Sequence, residues 1–172
     1  MIENSLWKLS ALLLLVALLY VAPLASLFER QGDITYERVR VETAALTDRV
    51  RNLGVLEKDQ WEAYLRKVSA TGEVYQVELE HQKRSYTPVL DGAGEPTGDW
   101  RTVYAGSYDG DITGELALSG RYPLALGDFF YVTVRSTSRS KDQALKSMLF
   151  GRSGAFPAVY TRNGGMVRHE DD

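Results

Sequence analysis

Cysteine is absent from this 172-residue chain. Its absence excludes a disulfide scaffold, a thiolate metal site and a cysteine nucleophile. Imidazole is also scarce, because His81 and His169 are the only histidines and their spacing is not that of a zinc motif. A strand through this region would place Glu80 and His81 on opposite faces. We therefore expect no metal centre and no cofactor.

An excess of positive charge is missing as well, since the formal net charge is -3. Nucleic-acid-binding surfaces normally carry a basic stripe, and none is visible here. The chain has neither a GxSxG elbow nor a phosphate-cradling glycine pattern. The stretch "DGDITGE" begins like a calcium loop, but Gly120 stands where the bidentate glutamate is required. We expect no nucleic-acid partner, no small-molecule substrate and no enzymatic activity.

What the chain does contain is an uncharged, largely apolar run from Leu9 to Phe28. A bilayer core about 30 Å thick is crossed by roughly 20 mostly apolar helical residues. Cleavage after Ala25 would put Pro23 where a signal peptidase site needs a small residue. We therefore predict that residues 1–28 form a retained transmembrane signal-anchor, with these representative positions along it: Leu9, Leu13, Val16, Tyr20, Pro23 and Phe28.

The orientation of this anchor is not decided by charge. Lys8 precedes the run, whereas Arg30, Arg38 and Arg40 follow it, so the positive-inside rule leans against export of the C-terminal part. Long domains are nevertheless translocated largely regardless of charge. We expect a single-pass protein of the cell membrane whose residues 29–172 form one extracytoplasmic domain.

A helix is predicted after the anchor, with Asp33 as its N-cap and Gly54 at its end. Apolar residues recur at spacings of three and four along it, interrupted by Thr43. The stripe covers only about two and a half heptads, and coiled-coil seams normally persist for three or four. We therefore expect it to hold the domain together rather than to form a filament core; its members are Tyr36, Val39, Leu46, Val50 and Leu53.

A second helix is predicted next, with Asp59 and Glu62 at capping-box spacing and an end at Thr71-Gly72. From Glu73 the apolar period changes to two, which is typical of a half-buried strand. The stretch "DFFYVTV" also predicts a strand, and "SKDQALKSMLFG" predicts a short helix. A helical turn is expected after Asp111.

Two further stretches complete the predicted fold. The stretch "TPVLDGAGEPTGDW" is rich in glycine, proline and aspartate and predicts a long surface loop. The stretch "AVYTRNGGMVRHE" predicts two short strands about Asn163-Gly164, a favoured tight-turn pair. The predicted fold is thus α+β: an N-terminal transmembrane helix, two helices and a small antiparallel sheet with a C-terminal hairpin.

Four stretches of the sequence resemble those of a known group of proteins: "LFERQGDITYERV", "VRNLGVLEKDQWEAYLRKVSATGEVYQVELEH", "GDFFYVTV" and "GGMVRHED". With these, the sequence resembles small membrane-anchored, pilin-like or pseudopilin-like proteins of Gram-positive bacteria associated with tight-adherence-type pilus or type II-like secretion machinery. The resemblance implies an extracytoplasmic subunit handled by an assembly ATPase and a membrane platform protein. It implies no catalytic residue.

Pilins carry a glutamate a few residues into the apolar helix and a proline about twenty residues along. Pro23 matches the second feature, whereas Glu3 precedes the apolar run and no glycine stands before that run. The resemblance therefore favours a minor, non-polymerising structural or assembly component with protein partners in a pilus or secretion apparatus. The alternative is a membrane-tethered extracellular binding module for a peptide or cell-wall ligand.

Overall fold

The computed structural model describes residues 2–137 and 160–169. These residues form three helices and two antiparallel sheets, which confirms the α+β class. The elements in chain order are α1 (Ile2–Leu53), β1 (Val55–Glu57), α2 (Lys58–Ser69), β2 (Tyr75–Leu90), β3 (Pro96–Tyr108), α3 (Asp109–Ser119), β4 (Arg121–Pro123), β5 (Phe129–Ser136) and β6 (Tyr160–Met166). The helix predicted from "SKDQALKSMLFG" lies outside the described residues.

The described residues divide into two compact units. The first contains α1 as far as Glu37, and the second begins at Arg38 and contains the rest of α1 and all the other elements. The anchor and the next helix, predicted as separate elements, are therefore one helix that belongs to both units.

The predicted helix start at Asp33 is wrong, because α1 runs without a break through Pro23 and through Gly32-Asp33. A glycine inside a helix costs about 1 kcal/mol relative to alanine, whereas nucleating a second helix is unfavourable by a larger amount. Continuing the existing helix through Gly32 therefore costs less free energy than starting a second helix. The predicted end is confirmed: Gly54 follows the helix at φ 71° and donates its N–H to the carbonyl of Val50 at 2.8 Å.

None of the helices in residues 2–137 and 160–169 combines the length and the apolar character that a membrane span requires.

A short strand separates the first two helices. β1 pairs with β4 in a two-stranded antiparallel sheet, so the expectation that two helices precede any strand is wrong. Three residues are too few to show an alternating pattern in the sequence. α2 itself is confirmed, but its N-cap is Glu57, which makes no capping side-chain hydrogen bond, and not a capping box at Asp59.

The larger sheet has the strand order β3-β2-β5-β6 and is antiparallel throughout. The loop predicted from "TPVLDGAGEPTGDW" is wrong, because β2 continues to Leu90 and β3 begins at Pro96. Only residues 91–95 form the turn. Asp91 organises it: one carboxylate oxygen accepts the N–H groups of Glu95 at 2.9 Å and Ala93 at 2.8 Å, and these bonds lower the pKa of Asp91.

The predicted C-terminal hairpin is also wrong, because β6 passes straight through Asn163-Gly164 and pairs with β5 along its whole length. Gly164 has φ 152°, and a Cβ placed there would lie 2.1 Å from the carbonyl oxygen of Phe130. This glycine permits a close approach of two strands instead of a turn.

One hydrophobic core unites the helices with the larger sheet inside the second unit. Alternate residues of β2 and β5 supply its sheet side, and buried residues of α1, α2 and α3 cover them. The turn predicted after Asp111 is the eleven-residue helix α3, which buries Ile112 and Leu116. Burying a side chain of this size fully is worth about 1.5 to 3 kcal/mol. The largest fully buried members of the core include Val39, Val50, Leu56, Leu79, Ile112, Phe130, Val132, Val134 and Val167.

Candidate functional site

The first half of α1 carries the predicted anchor. Its side chains at Leu9, Leu13, Val16 and Tyr20 are 45–66 % exposed. Pro23 is also exposed and lies inside the helix. The backbone of Phe28 is helical, but its side chain lies outside the described residues. The structure thus brings the predicted anchor positions together on one helix and leaves those it describes uncovered.

Apolar side chains are exposed on all sides of this part of α1. Five consecutive residues, 12–16, are all apolar and all exposed. Successive residues of an α-helix are rotated by about 100°, so four in a row already point in every direction. A helix that packs on a folded partner shows one apolar stripe and one polar face, and this segment has no polar face.

The two serine hydroxyl groups between Leu9 and Phe28 bond to the backbone of α1. Ser10 Oγ donates to the carbonyl of Trp7 and Ser26 Oγ to the carbonyl of Pro23, each at 2.9 Å. A hydroxyl satisfied within its own helix needs no water, which matters in a medium that offers no hydrogen-bonding partners. Trp7 lies next to Lys8 at the N-terminal end of the run, the pairing typical of a membrane–water interface.

The predicted packing stripe lies on the second half of α1. Val39, Leu46 and Val50 are buried in the core of the second unit. Tyr36 and Leu53 are exposed, so the prediction of a packing role is wrong at the two ends of the stripe. Tyr36 belongs to the first unit, and Leu53 is the last helical residue, where the chain turns away at Gly54.

Two buried threonines, Thr43 and Thr47, lie on the same side of α1. The apolar periodicity of the sequence does not identify them as contact residues. Thr43 Oγ1 donates to the carbonyl of Val39 at 2.7 Å and lies 2.9 Å from Tyr64 Oη, so the tyrosine hydroxyl is the donor in that second bond. Burial raises the pKa of Tyr64 to about 12. Thr47 Oγ1 lies 3.2 Å from Oδ1 of Asn163 on β6. Nothing in a single sequence pairs these distant polar residues.

The other buried polar cluster centres on His81 of β2. Its Nδ1 lies 2.8 Å from Tyr122 Oη, and its Nε2 lies 2.9 Å from Oδ2 of Asp128. Burial raises the pKa of Tyr122, and a hydrogen bond with the Ser107 hydroxyl opposes that rise. A raised pKa disfavours the phenolate, so Tyr122 is not activated as a nucleophile.

Asp128 is the acceptor that completes this cluster. Its Oδ1 accepts the N–H of Arg84 at 2.8 Å, and its Oδ2 accepts the N–H of Ala125 at 2.9 Å as well as the bond to His81. One carboxylate therefore ties β2, through His81 and Arg84, to the segment that precedes β5. A hydrolase would need the imidazole beside a serine in a cleft, whereas His81 bonds to Tyr122 and Asp128 and is 4 % exposed.

The face of the larger sheet opposite to the core carries aromatic rings and arginines. We call it the outer face, defined by Tyr104, Phe129, Tyr131 and their cross-strand neighbours. Tyr104 meets Phe129 edge-on at 5.4 Å, and Phe129 stacks on Tyr131 at 6.3 Å. The guanidinium of Arg162 lies 4.5 Å above the Tyr131 ring and also binds Glu80 at 2.8 Å. The outer face therefore presents ring planes bordered by charges.

Residues 2–137 and 160–169 contain no group of three or more histidines and acidic residues that could hold a metal ion. No protein-family model, curated protein or solved structure matches the chain.

Proposed function

We propose that this chain is a membrane-anchored, non-catalytic structural or assembly component of a surface pilus or secretion apparatus, of the pilin-like or pseudopilin-like kind. One observation carries the proposal. A single helix exposes apolar side chains on every side over its first half and buries Val39, Leu46 and Val50 in a folded core over its second half.

A lipid bilayer suits the first half of α1 better than a protein groove. Lipid surrounds a helix, so it covers side chains that point in every direction, whereas a groove covers one stripe. The uncharged run has the length of a bilayer core, and both of its serine hydroxyls are bonded to backbone carbonyls. We therefore propose residues 1–28 as the anchor and place the second unit outside the cytoplasm.

The assembly role is supported by the resemblance described above. Pro23 lies within the helix, as in pilins, whereas the position of Glu3 before the apolar run favours a minor component.

The anchoring part is tested by intact-cell protease shaving combined with mass measurement of the membrane-bound protein. We expect an unprocessed N-terminus and a domain that protease removes. The paired change Leu13→Arg with Leu15→Arg should release the chain from the membrane fraction, because each charge in a bilayer core costs about 2.5 to 3.5 kcal/mol. The matched control is Leu118→Arg, at a residue 92 % exposed on α3, which should leave membrane association unchanged. A mature N-terminus beyond Phe28, or a protected domain, would contradict the proposal.

The assembly role is tested by identifying the proteins that co-purify with the chain. Purification of the full chain from its native membrane should recover a pilus or secretion ATPase or the membrane platform protein. If the chain is correctly inserted in the membrane but purifies alone, the proposed assembly role is wrong and the proposed anchor is unaffected.

The second candidate is a membrane-tethered module that binds a peptide or a cell-wall ligand. The outer face favours it, because exposed ring planes beside arginines are common in ligand-contacting surfaces. Replacing Tyr104 by alanine would weaken retention on purified cell-wall material if this role is correct, and Tyr20→Ala on α1 would not. Equal retention of both variants would exclude the outer face as the binding surface.

A further inference from the structure

β3 is an edge strand of the larger sheet, because it pairs with β2 on one side and with no described strand on the other. Its residues 102–108, "TVYAGSY", contain no charged residue and no proline, and their pairing with β2 has no bulge. Natural edge strands usually carry charges, prolines or bulges that prevent pairing with another chain. Residues 102–108, which we call the open edge, lack all three kinds of protection.

The hydrogen bonds of β2 show the direction in which its main-chain groups point. Successive residues of a strand direct their N–H and C=O groups to opposite sides. The N–H of Arg84 is donated at 2.8 Å to the carboxylate of Asp128, on the β5 side. The N–H of Leu79 is donated to the side chain of Asp109, which directly follows β3. The even-numbered residues of β2 therefore direct these groups toward β5, and the odd-numbered residues direct them toward β3.

The register carries this alternation over to β3. Arg84 lies opposite Tyr104, and because the main-chain groups of Arg84 face β5, those of Tyr104 have no partner on β2 and face away from the sheet. By the same alternation, the N–H and C=O groups of Thr102 and Gly106 also face outward. Among the described residues, no backbone bond to another segment satisfies them. The open edge thus presents donors and acceptors at the spacing of a further strand.

Gly106 forms a slot on the outer face of the open edge. Its neighbours on the same side of β3 are Tyr104 and Tyr108, which are 47 % and 63 % exposed. A Cβ placed at Gly106 would lie 3.0 Å from Tyr108 Oη, so the Tyr108 ring leans over the glycine. A side chain opposite Gly106 on an added strand would lie between two tyrosine rings. An aromatic or large apolar side chain fits this slot best.

The size of the open edge favours a peptide over a second copy of the folded chain. Seven residues at about 3.3 Å each make an edge about 23 Å long, and a sheet is roughly 10 Å thick. The contact is therefore on the order of 230 Å² per partner, whereas a stable interface between folded proteins needs about 800 Å². A peptide strand needs less, because main-chain hydrogen bonds supply its affinity and alternate side chains its specificity.

We propose that the open edge binds an extended segment of a partner protein as an additional antiparallel strand. The segment is uncharged along the open edge and carries an aromatic or large apolar residue opposite Gly106. Antiparallel addition continues the pattern of the sheet, which is antiparallel throughout. This inference rests on the second candidate function and deepens it, because it names an extended peptide as the ligand and β3 as its site.

The first test uses the full chain in detergent and a fluorescently labelled, terminally blocked peptide, TVYAGSY, which has the required chemistry. In antiparallel register its third residue, tyrosine, falls opposite Gly106, and its fifth, glycine, falls opposite Tyr104. We expect saturable binding by fluorescence polarisation. N-methylation of these two peptide residues removes donors that face β3 and should weaken binding by about tenfold or more. N-methylation of the fourth and sixth residues, which face away, should leave binding nearly unchanged. Absence of saturable binding, or equal effects of the two methylations, would overturn the proposal.

The second test concerns the slot at Gly106. A peptide with alanine at the third position, TVAAGSY, should bind the unchanged chain about fivefold more weakly than TVYAGSY. In the variant Tyr108→Ala the two peptides should bind equally, because one wall of the slot is gone. The matched control Tyr86→Ala removes a 57 %-exposed ring from the neighbouring strand and should keep the preference. A preference that survives Tyr108→Ala would overturn the placement of the peptide opposite Gly106.

Two outcomes separate this inference from the functions proposed above. Loss of peptide binding at concentrations where the chain self-associates would show that a second copy occupies the open edge, and would overturn the proposal. Absence of peptide binding, with retention on cell-wall material that still depends on Tyr104, would overturn the peptide strand and leave the binding module as a candidate function. Neither result affects the anchor, which is tested in the membrane fraction.

Discussion

The Nε2 atom of His81 lies 2.9 Å from Oδ2 of Asp128, and both side chains are buried. The two residues come from β2 and from the segment just before β5, and the carboxylate also binds the backbone N–H of Ala125. The backbone carbonyl of Asp128 accepts the N–H of Val167, which follows β6. This pair therefore joins the middle of the sheet to the C-terminal segment.

We expect Asp128→Asn to destabilise the second unit. The three groups that Asp128 binds through its side chain are all donors to the carboxylate, whereas an asparagine offers one acceptor and one donor. At least one buried donor would lose its acceptor, at a cost of about 1 to 3 kcal/mol. The measurement is the urea midpoint of unfolding followed by circular dichroism.

The control for that experiment is Asp99→Asn on the exposed part of β3. It makes the same chemical change at a side chain without a described ion pair and should alter stability by no more than about 0.5 kcal/mol. Equal midpoints for Asp128→Asn and the unchanged chain would show that the cluster has no role in stability.

Ionisation of Tyr64 should destabilise the second unit at alkaline pH. Its pKa is about 12 in the folded chain and near 10 in an unfolded one, so the stability gained from the neutral phenol is complete below pH 10. That stability is lost as the pH rises from 10 to 12, and the loss is on the order of 2 to 3 kcal/mol. Urea midpoints measured from pH 8 to pH 11.5 report it.

Tyr64→Phe separates ionisation from packing. This change keeps the ring but removes the hydrogen bond to Thr43, which should cost about 1 kcal/mol of stability near neutral pH. The decrease in the urea midpoint at alkaline pH should then be smaller than in the unchanged chain. The comparison variant Tyr104→Phe removes the hydroxyl of a 47 %-exposed tyrosine and should keep the full slope. Parallel slopes in all three proteins would rule out Tyr64 as the responsible group.

The elements that the sequence predicts well are those whose burial follows a regular period. α2 and β5 fall where the periods of 3.6 and 2 place them, and Leu79 and His81 are buried as the alternation from Glu73 requires. The centre of the stripe on α1 is buried for the same reason.

The errors arose where glycine and proline have more than one use. Asn163-Gly164 is a favoured turn pair, yet Gly164 lies in mid-strand because the carbonyl of Phe130 passes where a Cβ would lie. The segment after Tyr86 is rich in turn residues, yet it forms the end of β2 and the start of β3. Only the short turn between these strands, which Asp91 stabilises by accepting the N–H of Glu95, is irregular. The bonds of His81 to Tyr122 and Asp128 join residues 41 and 47 positions apart, and no local pattern encodes such pairings.

Two glycine substitutions test this interpretation of Gly164. Gly164→Ala should destabilise the second unit severely, because the new Cβ would meet a backbone oxygen at 2.1 Å and a side chain is strained at φ 152°. Gly114→Ala on α3 meets nothing within 4 Å and should raise stability by up to about 1 kcal/mol through helix propensity. Both are read from the urea midpoint. A tolerated Gly164→Ala would show that β5 and β6 do not approach so closely.

The last prediction concerns the stripe on α1 and distinguishes a core from an intermolecular surface. Leu46 is 7 % exposed and packs in the core cluster, whereas Leu53 on the same helix is 47 % exposed. Truncating a buried leucine to alanine costs about 2 to 5 kcal/mol, because apolar contact is lost and a cavity remains. Leu46→Ala should therefore lower the urea midpoint strongly, and Leu53→Ala should change it by less than about 0.5 kcal/mol. If Leu46→Ala instead kept the midpoint of the full chain but abolished its association with other proteins, the stripe would be an intermolecular surface and α1 would contribute to a filament core.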